Sequence, residues 1–225
     1  ILQLTPTTDG NVVFDGVNLT LLPPNKKTSM RKRMQMIFQD PYSSLNPRMN
    51  VHDTLAEPLL YHRLVSRRDL TKEVLRLMND VGLARSAAKK YPHEFSGGQR
   101  QRIAIGRAIS TKPEFIVADE PVSALDVTVQ AQILELILSL VDKHNLTMMF
   151  ISHDLSVVRY IADRIAVMNH GKLVEIKATA DIFKTPSQEY TKQLITAIPL
   201  ADPTKEKERQ RIAADRLKLM TRESI

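Results

Sequence analysis

Residues Phe95 to Asp126 read FSGGQRQRIAIGRAISTKPEFIVADEPVSALD, and they restrict the fold more than any other stretch of the chain. Ser96-Gly97-Gly98-Gln99 has the form of a helix start, a serine N-cap with a glutamine three residues on. Ile103, Ile105, Ala108 and Ile109 give that helix an apolar side. A Gly-Gly pair behind a capping serine lets another surface approach free backbone N–H groups. The helix dipole points its positive end the same way, so an anion, typically a phosphate, is the natural ligand. Phe115-Ile116-Val117-Ala118 then reads as a buried, parallel-type strand. Asp119 and Glu120 follow at its end, and Pro121 stops it. Ligands of open α/β sheets bind at the carboxyl ends of strands. An Asp there can hold Mg²⁺, directly or through water. The adjacent Glu is suited to polarise a water molecule as general base. Either device alone reads equally well as a helix cap or as two surface carboxylates. Both together, in this order and spacing, do not arise by coincidence.

SGGQRQR followed by ADEP and SALD resembles the ATP-binding-cassette (ABC) ATPases. On that resemblance SGGQ is the signature loop, IVADE the Walker B strand, and Asp126 the D-loop aspartate. Gln39, after Met36-Ile37-Phe38, matches the family's Q-loop glutamine, and His153, after Phe150-Ile151-Ser152, matches its switch histidine. QMIFQDPYSSLNPRMNV and IFKTPSQEYTKQLITAIP are similar to the oligopeptide, dipeptide and nickel importer branch. One element is missing. None of the seven glycines, at 10, 16, 82, 97, 98, 106 and 171, opens the phosphate loop G-x-x-x-x-G-K-[ST]. That loop wraps phosphates in backbone N–H groups and supplies a Lys and a Mg²⁺-binding hydroxyl. Ile1 to Leu4 reads as the end of the helix that follows the loop. The expectation is a family member without its N-terminal segment.

The resemblance implies a P-loop NTPase-type α/β fold, a parallel sheet core with an inserted helical subdomain. Residues 1–200 would form the ATPase domain, with the helical insert at about 51–111, and 201–225 a charged tail. ATP and Mg²⁺ are the implied cofactors. ATP is held between two cassettes, so a second ATPase subunit, identical or different, is an implied partner. Integral membrane permease subunits are another, and a solute-binding protein acts indirectly. Asp119 would hold Mg²⁺ and Glu120 would act as base. Gln39, through its side-chain oxygen, would contact Mg²⁺ or the attacking water. His153, neutral or protonated, would donate to the terminal phosphate. Ser96, Gly97, Gly98 and Gln99 would cap the phosphate across the dimer, with Asp126 linking the two sites. Two rivals are a cassette ATPase of soluble function and a non-catalytic remnant that only binds partner subunits. A further expectation concerns the sheet. The strand before the phosphate loop is placed beside the Walker B strand, so its loss leaves backbone unpaired along Phe115 to Ala118.

Composition narrows the setting. The chain of 225 residues is 43% hydrophobic, enough for one good core. No run of eighteen apolar residues occurs, nor a signal-peptide pattern. With no Cys, disulfides and thiolate metal sites are excluded. The net charge of +7 is scattered, aromatics are 5% and Trp is absent, which supplies a base-stacking platform poorly. Nucleic acid is therefore not an expected partner; a peripheral position on the cytoplasmic face of the cell membrane is.

Between the motifs, Asn11 to Phe14 reads as a strand entering a tight turn at Asp15-Gly16. Pro23-Pro24-Asn25 reads as a break, with Thr28 or Ser29 capping a short basic helix. Met34 to Phe38 is a strand and Asp40 to Asn50 a loop. Helices are expected at Val51–Tyr61, Arg68–Val81, Ser96–Thr111 and Val127–His144, with a strand at Leu146–Ser152. Tyr42, Leu45 and Tyr61 are candidates for contact with a membrane partner. Strands at Asp163–Met168 and Lys172–Ile176 close the pattern, followed by helices at Thr179–Phe183 and Tyr190–Ile198. Lys205 to Arg211 is almost wholly charged, an exposed helix or disordered, with no assigned function.

Overall fold

The computed structural model describes residues 1–198; the charged tail lies outside the described residues. They fall into two compact units, Ile1–His153 and the part beginning at Asp154.

The first unit opens with a hairpin, β1 (Val13–Phe14) and β2 (Val17–Asn18), turned at Asp15 and Gly16 with φ of 49° and 74°. Positive φ at both turn positions is what a two-residue hairpin loop demands. Helix α1 (Pro24–Arg33) starts at the double proline instead of at Thr28 or Ser29. Pro24 sits in its first turn, where the missing N–H would have no acceptor anyway. Strand β3 (Met34–Ile37) leads to a one-turn helix α2 (Pro41–Ser44), which the Pro/Ser/Asn-rich composition of this loop had concealed. Helices α3 (Val51–Tyr61), α4 (Leu70–Asp80) and α5 (Gly97–Ile109) follow. Gly82, with φ of 69°, closes the end of α4 in the left-handed conformation that favours glycine. These three helices pack through Leu55, Leu59, Val74, Leu77, Met78, Ile103 and Ile105, each at most 1% exposed. Strand β4 (Phe115–Asp119), helix α6 (Val127–His144) and strand β5 (Thr147–Ile151) complete the unit.

The sheet is parallel, in the order β3-β4-β5. Ile37 lies opposite Ala118, and Asp119 opposite Ile151. Strand β4 is therefore paired on both sides, which corrects the expectation of bare backbone along Phe115 to Ala118. Ile116, Val117 and Ala118 are buried, as a central strand requires. The edges are β3 and β5, and the exposed apolar side chains sit on β5, at Met149 and Ile151. A central strand was expected to lose its neighbour; it is an outer strand that carries the open flank.

The second unit contains α7 (Leu155–Ile161), an antiparallel pair β6 (Arg164–Asn169) and β7 (Lys172–Ala178), and helices α8 (Thr179–Lys184) and α9 (Glu189–Thr196). Its core gathers Val158, Ile165, Val167 and Ile182. Glu175, a buried carboxylate on β7, ties the loop after α8 to the strand. It accepts from Lys177 Nζ at 2.9 Å and from the backbone N–H groups of Ser187 and Gln188 at 2.8 and 3.1 Å.

Candidate functional site

The parallel register sets the site. Two residues beyond the Ile37–Ala118 pair stand Gln39 and Glu120, and two beyond Ile151 stands His153. All three lie past the carboxyl ends of adjacent strands, where such sheets place ligands. They meet. Gln39 Nε2 donates to Glu120 Oε2 at 2.8 Å, and His153 Nδ1 lies 2.9 Å from Glu120 Oε1. The His153 hydrogen bond is the main cause that holds the Glu120 carboxyl below its usual range. An ionised carboxylate only accepts hydrogen bonds. The proton of the His153–Glu120 bond therefore sits on Nδ1, and the amide of Gln39 turns its Nε2 to Glu120, leaving Oε1 as an acceptor for another group.

The backbone of Glu120 is bent to serve this position. Its φ is 43°, an unusual conformation for a residue with a Cβ. The N–H of Glu120 still donates to the carbonyl of Ile151 at 3.0 Å, extending the ladder by one bond. Its own carbonyl accepts from Ser123 Oγ at 3.1 Å, which fixes the turn. The site is open: the His153 side chain is 74% exposed and that of Glu120 23%. Water and a polar ligand have direct access to both.

The other predicted residues form a second group. Ser96 Oγ accepts from the Gln99 N–H at 3.4 Å, and Gln99 Oε1 accepts from the Ser96 N–H at 3.0 Å, the reciprocal capping box read from the spacing. Gly97 and Gly98 begin α5, where N–H groups have no intrahelical acceptor. The glycine pair also has a use that its residue types did not disclose. A Cβ on Gly98 would stand 2.4 Å from Val129 Cγ1, and one on Gly97 3.3 Å from Leu125 Cδ2. Part of the close approach is thus to the chain's own α6. Nothing local in the sequence signals this, because the partner side chain belongs to another element. Asp126 accepts from the Val129 N–H at 3.0 Å and so N-caps α6. The signature-type loop and Asp126 are accordingly held together at the start of α6, apart from the hydrogen-bonded set of Gln39, Glu120 and His153.

Asp119 ends β4, immediately before Glu120. Among the described residues no group of three or more His, Cys, Asp or Glu side chains is placed to hold a metal ion. Mg²⁺ needs no such cage, since it keeps several waters and is bound through one or two protein oxygens together with substrate phosphates. Asp119 and Gln39 Oε1 are oxygen donors of that kind. A cavity of about 570 Å³ opens elsewhere, against β3, lined by Leu2, Leu4, Met34, Met36 and Phe38 among others; no predicted site residue borders it. Of the candidate docking residues, Tyr42 and Tyr61 are exposed, whereas Leu45 is 2% exposed and packs in the core, so it is not available for contact.

Parallel strands joined through helices, with Gln, Asp-Glu and His at their carboxyl ends, define an α/β core of the P-loop NTPase class. The chain belongs to the ABC transporter family, whose model matches residues 1–123. It is 51% identical to the oligopeptide transport ATP-binding protein OppF of Bacillus subtilis, over 94% of this chain and 70% of that protein. It is 44% identical to the glutathione import ATP-binding protein GsiA of Pectobacterium atrosepticum, over 96% of this chain and 35% of that protein. Among solved structures it resembles the ATP-binding cassette MJ0796 in a dimeric post-hydrolysis state bound to ADP and Pi. The TM-score is 0.68 at 27% identity, over 76% of this chain and 74% of that one. Within the family, the relatives place the chain with ATP-binding subunits of peptide-type importers.

Proposed function

We propose that the chain is the ATP-hydrolysing subunit of an importer for peptides or similar small solutes, and that Glu120 is its general base. The observation that carries this is the bracketing of one carboxylate by Gln39 and His153 at the carboxyl edge of the sheet. A Glu kept ionised can take a proton from water, and a site held by two neighbours loses little time to misorientation. Asp119, with Gln39 Oε1, is the position for Mg²⁺, whose chemistry is to neutralise charge on the transferred phosphoryl group. His153 holds Glu120 in place and offers its ring edge to a phosphate oxygen. Ser96, Gly97, Gly98 and Gln99 present the α5 tip to ATP bound on a second cassette, and Asp126 joins the two sites through α6. The ATPase domain spans residues 1–200 with the helical insert at 51–111, and exposed Tyr42 and Tyr61 on that side face membrane permease subunits. No helix among the described residues is long and apolar enough to cross a membrane. The chain on this reading attaches to the cytoplasmic face through those subunits.

The test is assembly. Co-expressed with membrane subunits and a second ATPase subunit, the chain should co-purify and hydrolyse ATP, faster when a solute-loaded binding protein is added. A complex that hydrolyses ATP equally well without this chain would overturn the proposal. Titration with labelled ATP, of the chain alone and with a second ATPase subunit, checks the shared site. Weak binding alone that tightens with a partner fits a shared site, and micromolar binding alone contradicts the need for one.

A further inference from the structure

Gln39 reaches Glu120 from a loop, and the attachments of that loop run to α5. Directly after Gln39 the chain folds into α2. Asp40 Oδ1 accepts from the Tyr42 N–H at 2.8 Å, and the Asp40 carbonyl accepts from the Ser44 N–H at 3.2 Å and from Ser43 Oγ at 3.2 Å. These bonds tie the turn to itself. Helix α5 grips it at two points. Near the far end of α5, Arg107 Nη1 donates to the Ser44 carbonyl at 2.6 Å. In the first turn of α5, the Arg100 guanidinium lies 5.5 Å from the centre of the Tyr42 ring and also donates to the Phe95 carbonyl at 2.5 Å, one residue before Ser96. Leu45, buried at 2%, closes the attachment.

We propose that Arg107, assisted by Arg100, is the positioning residue that sets Gln39 against Glu120, so that the Gln39–Glu120 bond and the Ser96 helix tip are carried by one rigid element. Among the described residues no carboxylate forms an ion pair with Arg107. Glu57 acts on it only through its field, and burial lowers the guanidinium pKa. The guanidinium is half-buried at the rim of the cavity against β3, which Ser44 also lines, and its hydrogen bond to the Ser44 carbonyl fastens the turn to α5. The catalytic meaning of the clamp rests on the roles given above to Gln39 and Glu120, but the clamp itself does not.

The experiment uses the whole 225-residue chain, ¹⁵N-labelled, without nucleotide. The side-chain amide signals of Gln39, identified by their loss in Gln39→Met, mark whether Glu120 holds them; Glu120→Ala gives their released position. Arg107→Met should move the Gln39 signals toward that released position while the backbone amides of Phe115–Ala118 stay protected. Arg107→Lys, which keeps a cationic donor group, should restore most of the shift. A folded Arg107→Met protein with Gln39 signals unmoved overturns the proposal. Should Arg107→Met not fold, Tyr42→Leu carries the test, because Tyr42 is exposed and its loss removes only the Arg100 contact. A smaller displacement in the same direction supports the clamp, and none overturns it. In the assembled ATPase, Arg107→Met should lower kcat on the order of 10-fold or more with KM for ATP nearly unchanged. Displaced Gln39 signals with undiminished kcat would support the clamp and refute the role assigned to Gln39.

Discussion

Replacing Gly98 by alanine tests how far the glycine pair belongs to the chain's own packing. The added Cβ would stand 2.4 Å from Val129 Cγ1, where carbon atoms in good contact lie about 3.5–4.0 Å apart. Roughly 1 Å of relief is needed, and Val129 is β-branched, with one strongly preferred rotamer in a helix. Overpacking of this kind costs about 1–3 kcal/mol. Exchange of Gly for Ala returns up to about 1 kcal/mol of helix propensity, less in a first turn. The expected net loss is about 1–2 kcal/mol. Val129→Ala removes the obstructing methyls, and since Val129 is only half-buried it should itself cost no more than about 1 kcal/mol. In the double variant the alanine Cβ meets only the Cβ of residue 129, at the 3.7 Å of an ordinary contact. Gly98→Ala should therefore be neutral, or gain up to about 1 kcal/mol of helix propensity, in the Val129→Ala background, so the coupling equals the overpacking cost of about 1–3 kcal/mol. Urea unfolding followed by circular dichroism reads this as a shift of midpoint at constant slope. Gly98→Ala with the wild-type midpoint, or a double variant as unstable as the sum of its parts, would refute the packing argument.

Other expectations follow from the ion pairs. Lys177, and then the Ser187 N–H, hold the Glu175 carboxyl at about 2, below its ordinary 4.5. A depressed carboxyl contributes stability that is full above 4.5 and is lost as pH falls toward about 2. Wild-type stability should drop across that window, while Glu175→Gln should be less stable at neutral pH with a flatter acid limb; parallel curves for the two proteins would contradict this. Asp80, with its side chain 4% exposed, accepts from Arg76 at 2.6 Å and from Lys143 at 2.7 Å, joining α4 to α6. Its partners are half-exposed and can be solvated, so Asp80→Ala should cost about 1–3 kcal/mol in urea unfolding. A change within about 0.5 kcal/mol, the range of ordinary surface substitutions, would show the bridge to be idle.

Much of this arrangement was legible because its signals are local. The capping box of Ser96 and Gln99, the buried run of Phe115 to Ala118 and the periodicity of Val127 to His144 each depend on neighbours in the chain, and the elements fall where those patterns put them. Gln39, Glu120 and His153 were identifiable as strand-end residues, and parallel pairing made their meeting a consequence of register. What stayed hidden depends on contacts between distant segments. Gly98 against Val129, Arg107 on the Ser44 carbonyl and the burial of Leu45 leave no periodic trace. The start of α1 at Pro24 was masked because two prolines read as a break, although proline in a first turn suits a helix. The position of the open sheet edge could not be had from composition, since it depends on strand order, and that order put β4 in the middle.

The central claim is that Glu120 activates water between Gln39 and His153. Single-turnover ATP hydrolysis by the assembled complex carrying Glu120→Gln, an isosteric change that removes the base, tests it most directly. Loss of a positioned general base predicts hydrolysis slower by about 10²–10⁴-fold, with ATP still bound and released unchanged. Hydrolysis at the wild-type rate in that variant would contradict the account.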